Sequence, residues 1–150
     1  MSVSQTGGQV LAELDFSFDR PVTAADFRAL ADQTDWARAR DESEIAAALK
    51  GCYAILGAWD GDRLVAIVRL ISDGVYVAQF LDVIVDRAYR GQGVGSKLVR
   101  RALDRCAHIE SVTLSCGPEQ VPFYQRLGFT EGPRMSRRPG KPNPGDAPLA

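Results

Sequence analysis

Apolar positions change period several times along the 150 residues, and each change marks an element. Over residues 10–18, Leu11, Leu14, Phe16 and Phe18 stand among polar partners, which predicts a first strand broken by Pro21. Thr23 is a helix cap with Phe27, Leu30 and Ala31 following it on one face. A second short helix begins near Asp41, carries Ile45, Ala46 and Leu49 on one face, and ends at Gly51. Residues 53–59, 64–71 and 75–85 are rich in β-formers and are separated by Asp60-Gly61-Asp62 and Ser72-Asp73-Gly74, predicting an antiparallel meander. From Val94 the period turns helical through Leu98, Val99, Ala102, Leu103 and Cys106, and residues 111–115 form another short strand. Strand, helix and strand in that order predict a parallel crossover. Residues 121–127 predict a brief helix ended by Gly128. Small polar residues fill 1–9 and proline and glycine are frequent in 134–150, leaving 10–133 as the expected domain between a flexible segment and a tail.

The chemistry is concentrated in residues 80–97. An apolar strand enters the loop Arg90-Gly91-Gln92-Gly93-Val94-Gly95, which opens an amphipathic helix at Ser96 and Lys97. Glycines let backbone N–H groups approach a ligand closely, and a helix N-terminus adds unpaired donors and the positive end of its dipole. Together they make an anion cradle, to which Arg90 and Lys97 can add charge-assisted contacts. Spacing separates the phosphate-binding motifs. A Walker loop needs Gly-Lys-Ser/Thr, and Gly95-Ser96-Lys97 reverses that order. A dinucleotide fingerprint needs GxGxxG and an acid closing the next strand, whereas Gly91, Gly93 and Gly95 follow GxGxG and no acid closes residues 112–116.

Arg90-x-x-Gly93-x-Gly95 instead resembles the Q/R-x-x-G-x-G/A motif of acetyl-CoA binding in the GNAT superfamily of N-acetyltransferases. Phe123-Tyr124-Gln125-Arg126-Leu127-Gly128-Phe129 is similar to the F-Y-x-x-L-G-F segment near the end of those domains. The resemblance covers residues 10–133, and from Trp36 onward, through Leu81-Asp82-Val83-Ile84-Val85-Asp86, it is nearest the plastid and cyanobacterial branch that includes arylalkylamine acetyltransferases. It implies a three-layer α+β fold, a mixed, mostly antiparallel twisted sheet whose parallel β-α-β crossover splays to hold CoA. It also implies acetyl transfer from acetyl-CoA to a primary amine, on a small molecule or on a protein or peptide, by direct attack in a ternary complex.

By the same resemblance, the backbone of Val83, Ile84 and Val85 would pair with the pantetheine arm, the Val85 N–H facing the thioester oxygen. Gly91, Gln92, Gly93, Val94, Gly95 and Ser96 would donate to the pyrophosphate beside Arg90, and Tyr124, near the CoA sulfur, would act as general acid. Two departures bear on the acceptor. Many members carry an asparagine where this chain has Cys116-Gly117-Pro118, and Pro122 stands where plastid-like members have a polar residue. A non-catalytic acyl-CoA sensor or partner-docking module is the alternative use of the same motifs.

Asp82 is the one carboxylate in the apolar run 80–85. Burial would make it a base, directly or through water; an edge acid in solvent or a partner for an arginine are the other readings. Glu119 is the alternative base, and His108, the only histidine, stands at a helix end as a surface residue. No residues have metal-ligand spacing, so no metal is expected. A net charge of -1, with Arg100, Arg101 and Arg105 interspersed among apolar helix positions, argues against nucleic acid or an anionic membrane as partner. No run approaches the roughly 20 apolar residues of a membrane span, and residues 1–9 lack a leader pattern. Cys52, Cys106 and Cys116, odd in number and without CxxC spacing, fit packing roles in a reducing cytoplasm. The acidic run Asp32, Asp35, Asp41, Glu42 and Glu44 would suit a polycationic acceptor or form a solvated face, and Phe27, Trp36 and Tyr53 would line an apolar amine pocket or join the core. Sheet edges in this fold are commonly closed by dimerisation, so a homodimer is expected.

Overall fold

The computed structural model describes residues 11–136. The chain divides into two compact units, one through Cys116 and one from Gly117. In the first unit a single sheet runs β1 (Asp15–Ser17), β2 (Ala54–Asp60), β3 (Arg63–Ser72), β4 (Val77–Val85), β5 (Ser111–Leu114), in that order. The first four strands are antiparallel, and β5 joins β4 in parallel. Among the described residues of that unit, besides helical residues 11–13, three helices accompany them: α1 (Ala24–Ala31), α2 (Glu42–Lys50) and α3 (Val94–Arg105), the last carrying the crossover. This is the mixed α+β sheet the sequence implied.

Local chemistry accounts for most boundaries. Thr23 and Asp26 form a reciprocal capping box at α1, and Asp41 accepts the N–H groups of Ser43 and Glu44 at α2. The β3–β4 turn is held by Asp73, whose carboxylate accepts from the backbone of Val75, Tyr76 and Val77. Those bonds commit Val75 and Tyr76 to the turn, so β4 begins at Val77 rather than at residue 75. The first strand is also shorter than expected. Residues 11–13 are helical and only Asp15–Ser17 pair with β2; Val10 lies outside the described residues. Leu11 and Leu14 are three apart, a spacing that suits a helical turn as well as it suits loose alternation. In α2 Ile45 and Leu49 are buried while Ala46 is exposed, so its apolar stripe is narrower than the sequence suggested.

One core cluster joins Phe27, Leu30 and Ala31 of α1 and Ile45 and Leu49 of α2 to Trp59, Leu64, Ile67 and Ile84 of the sheet. Full burial of each large side chain here is worth about 1.5–3 kcal/mol. Ile67 faces that cluster, so Ala66 and Val68 point to the opposite face, and both are fully buried. Helix α3 packs on β2, β3 and β4 and buries Val94, Leu98, Val99 and Ala102.

The second unit holds a 3-10 turn, Pro118–Gln120, and the short helix α4 (Val121–Arg126). Its end explains the F-Y-x-x-L-G-F pattern physically. Gly128, at φ 94°, lets the Phe129 N–H reach the Tyr124 carbonyl and the Gly128 N–H reach that of Gln125. This is a Schellman ending, and the accompanying apolar contact is the edge-to-face pair of Tyr124 and Phe129. The expected segment 1–9 and all but residues 134–136 of the expected tail lie outside the described residues. No helix among the described residues is long and apolar enough to cross a membrane.

Candidate functional site

Strand β4 runs between two neighbours of unequal length. Its pairing with β3 continues to Val85, opposite Ala66, whereas its pairing with β5 stops at Phe80 and Leu114. Among the described residues, therefore, Leu81, Ile84 and Val85 have a ladder partner on the β3 side only, and none of residues 81–85 pairs with β5. The strand is also bulged there. Ile84 pairs with Ile67 and Leu81 with Arg69, so Asp82 and Val83 together oppose Val68. Asp82 has φ 53°, the only positive value among described non-glycine residues. The left-handed region is costly for most side chains and best tolerated by Asp and Asn after glycine.

Past Val85 the chain forms the glycine loop. Asp86 is buried and caps a 3-10 turn at Arg87–Tyr89 by accepting from the Ala88 N–H. Arg90 turns back, its Nε donating to the Val85 carbonyl at 2.9 Å, and the Gln92 amide donates to the Ala88 carbonyl at 3.1 Å. Gly91 and Gly93 have φ of 73° and 83°, and Gly93 is the N-cap of α3 with no side-chain acceptor on the helix N–H groups. The first helical bond is from Lys97 N–H to the Gly93 carbonyl, which leaves the earlier N–H groups, those of Gly95 and Ser96 among them, as donors. Val94 contributes backbone alone, since its side chain is buried under the sheet. Lys97, whose charge the sequence aimed at the same anion, stands with Nζ 4.8 Å above the Phe16 ring.

These features fit the expected cofactor. A one-sided strand edge can take a chain of amide groups, and an uncapped helix N-terminus with two left-handed glycines can take a pyrophosphate. Both lie within the first unit, joined by residues 86–93.

Asp82 is not a lone buried carboxylate. Its side chain is 4% exposed, and Oδ2 accepts from Arg69 Nε at 2.5 Å and from an Arg40 terminal nitrogen at 2.9 Å. Desolvation acts to lower the Arg69 guanidinium, but its contacts with Cys52 and Asp82 outweigh that and keep it charged. Beside the pair lies a cavity of about 240 Å³ lined by Phe27, Arg40, Glu44, Ile45, Ala48, Leu49 and Arg69. Of the three aromatics named from sequence only Phe27 lines it; Trp36 and Tyr53 are exposed. The acidic run is dispersed. Asp32 pairs with Arg28, Asp35 with Arg38, Asp41 caps α2 and Glu42 is exposed, leaving Glu44 at the cavity.

A further network was not visible in the sequence. Asp86 accepts from Gln33, just after α1, and from Arg63 of β3, while Gln33 in turn accepts the Arg87 N–H. The segment after α1 is thereby bonded to the entrance of the glycine loop. In the second unit Tyr124 is buried, its ring edge-on to Phe123 at 4.9 Å, and Glu119 is exposed. His108 is exposed, and no group of His, Cys, Asp and Glu among the described residues could hold a metal ion.

Comparison with known proteins agrees with this geometry. The sequence profile of the Acetyltransferase (GNAT) family matches residues 13–129. Histone acetyltransferase TAP1 of Glycine max is 34% identical over 138 residues, which cover 82% of this chain and 58% of that protein. GCN5-related N-acetyltransferase 2, chloroplastic, of Arabidopsis thaliana is 32% identical, with 83% and 56% covered. The chain thus spans about half the length of these curated relatives. Among solved structures, a GNAT-family acetyltransferase of Streptococcus pneumoniae TIGR4 superposes with a TM-score of 0.69 at 27% identity, covering 83% of this chain and 99% of that one.

Proposed function

The chain belongs to the acetyltransferase (GNAT) family, and from that premise we propose that it is an acetyl-CoA-dependent N-acetyltransferase acting on a primary amine by direct attack in a ternary complex. One observation carries the reading: the one-sided edge of β4 and the uncapped N-terminus of α3 stand at the two ends of a single glycine loop. Bound acetyl-CoA would supply an acetyl group activated as a thioester.

The chain's own residues then divide the work. Val83 and Val85 would offer backbone groups to the arm of the cofactor, Ile84 between them being paired with Ile67 of β3, and the Val85 N–H would be the donor to the developing oxyanion. The N–H groups of residues 91–96 neutralise the pyrophosphate, and the terminal nitrogens of Arg90 add charge while its Nε braces the loop. Tyr124 is assigned to protonating the departing thiolate. We assign no proton transfer to Asp82, because its oxygen already serves two guanidiniums; it is a positioning residue that fixes the bulge. Free thiols at Cys52, Cys106 and Cys116 suit a reducing cytoplasm, and a homodimer remains part of the reading.

The test is calorimetric titration with CoA, followed by release of free CoA from acetyl-CoA with a panel of amines. Binding and release with one amine class are expected. Binding with no release across the panel would favour a sensor, and absence of binding would overturn the reading.

A further inference from the structure

The cavity beside Asp82 has a charge pattern that selects among amines. Its lining brings Arg40 and Arg69 together at one end of an apolar surface made by Phe27, Ile45, Ala48 and Leu49. Each guanidinium has five N–H donors, and the bonds described from the side chain use one on Arg40, and on Arg69 the Nε and one terminal nitrogen. Asp82 supplies one negative charge to two positive ones, and Glu44, exposed in the first turn of α2, supplies the only other carboxylate at the cavity. Of the other acids of that region, Asp32 pairs with Arg28, Asp35 with Arg38 and Asp41 caps α2, while Glu42 is exposed and does not line the cavity. Asp82 and Glu44 balance the two arginines in formal charge, but Asp82 is turned onto the guanidiniums and Glu44 is exposed, so an anion would find preorganised, partly desolvated donors whereas a polycation would find no buried carboxylate left open to it.

The position matters as much as the charge. Arg69 pairs across the ladder with Leu81, and Asp82 belongs to the stretch of β4 that lacks a second ladder partner. The charged end of the cavity therefore adjoins the stretch of β4 whose other edge the acetyl-transfer reading gives to the cofactor. At about 240 Å³ it is smaller than the 300–1,000 Å³ of sites for drug-sized ligands, so it suits a small acceptor or the end of a larger one.

We propose that the acceptor amine carries an anionic group, a carboxylate or a phosphate, that seats on Arg40 and Arg69 while its apolar part lies against Phe27, Ile45 and Leu49. This rests on the acetyl-transfer reading above and names the acceptor class for that site. An amino acid with an apolar side chain has this chemistry, and so has a small phosphorylated amine.

The experiment compares matched acceptors on the full chain: phenylalanine against phenethylamine, O-phosphoethanolamine against ethanolamine, and spermidine as the polycation. CoA is titrated first. In one or both pairs the anionic member should have at least about a tenfold higher kcat/KM, the size of one charge-assisted hydrogen bond. Arg40→Gln should abolish that preference with CoA affinity unchanged, Arg69 still holding Asp82, and Arg40→Lys should restore part of it. Preference for the uncharged members or for spermidine, equality within both pairs, or a preference that survives Arg40→Gln would overturn the proposal. If no acceptor turns over, the same pairs are titrated into CoA-loaded protein, and failure of the anionic members to bind more tightly overturns it equally. CoA binding without anionic preference sinks this inference alone, whereas loss of CoA binding takes the acetyl-transfer reading with it.

Discussion

Arg69 Nε lies 2.5 Å from Asp82 Oδ2 across the β3–β4 ladder, at the described non-glycine residue that has a positive φ. Two buried opposite charges on neighbouring strands thus coincide with the bulge where β4 parts from β5. The left-handed backbone is the strained element, and the two guanidiniums on one carboxylate are what fix it.

Asp82→Asn separates charge from backbone strain, because Asn tolerates the left-handed region nearly as well as Asp. Arg69, 10% exposed, would lose its principal counter-ion, so the variant should be destabilised by about 3 kcal/mol. Asp82→Ala should lose about 1 kcal/mol more, because it lacks the short polar side chain that lets Asp and Asn occupy positive φ. Urea denaturation at neutral pH measures both, and an Asn variant as stable as the parent would show that the ion pairs do not hold the bulge.

The glycine loop allows a comparison of two alanines. A Cβ on Gly91 meets nothing within 4 Å and adds only the strain of φ 73°, whereas a Cβ on Gly93 meets a Leu11 methyl at 3.5 Å and also stands at the cap of α3. Each should destabilise by about 1–2 kcal/mol. CoA affinity should fall about tenfold or more for Gly93→Ala and less for Gly91→Ala, read by calorimetry, because only the former displaces the helix N-terminus. Equal affinity for both variants and the parent would remove the loop from cofactor binding.

Sequence periodicity was sufficient for the meander, for both caps and for the crossover, because the turns, the caps and the change of period that announce them are each set within a few residues. Thr23 with Asp26, Asp41 with Ser43, and Asp73 with Val75 are all such pairs. The anion cradle was legible for the same reason, its glycines lying next to the helix they cap. What sequence could not supply was the partner of a buried charge. Asp82 was conspicuous in its apolar strand, and Arg69 is equally conspicuous in residues 64–71, yet their register depends on a bulge that no local pattern announces. Gln33 and Asp86 meet across 53 positions, and Gln33 has nothing local to distinguish it from a solvated polar residue. The first strand was expected too long for a different reason: Leu11 and Leu14 satisfy two periods at once, and pairing with β2 is confined to Asp15–Ser17.

Tyr124→Phe removes the hydroxyl and keeps the ring. The ring sits edge-on to Phe123 and Phe129, and its backbone carbonyl accepts the Phe129 N–H of the helix ending, neither of which the substitution removes. Turnover at saturating acetyl-CoA should fall about a hundredfold, the lower end for loss of a general acid, with CoA affinity nearly unchanged. An unchanged kcat would take Tyr124 out of the chemistry and leave it as the anchor of α4.

Asp86 gives a prediction in pH. Desolvation pushes its carboxyl up, but the Ala88 N–H, the Gln33 amide and the Arg63 guanidinium outweigh that and hold it below the ordinary carboxylate range. With the folded value below the unfolded value of about 3.9, the stabilisation is complete above that pH and disappears as pH falls through the folded value. Gln33→Leu removes one bond to the charged form and so raises the folded value toward the unfolded one. Its stability deficit relative to the parent should be about 1–2 kcal/mol and constant between pH 5 and 8, then shrink below about pH 4 as Asp86 takes up its proton. The residue left at low pH belongs to the Arg87 N–H, which Gln33 also satisfies and which does not titrate. Urea denaturation of both proteins, carried down to the most acid pH at which they still fold, decides the matter: a deficit of the same size throughout would mean that Gln33 supports the loop through Arg87 alone, and that the buried carboxylate contributes nothing through it.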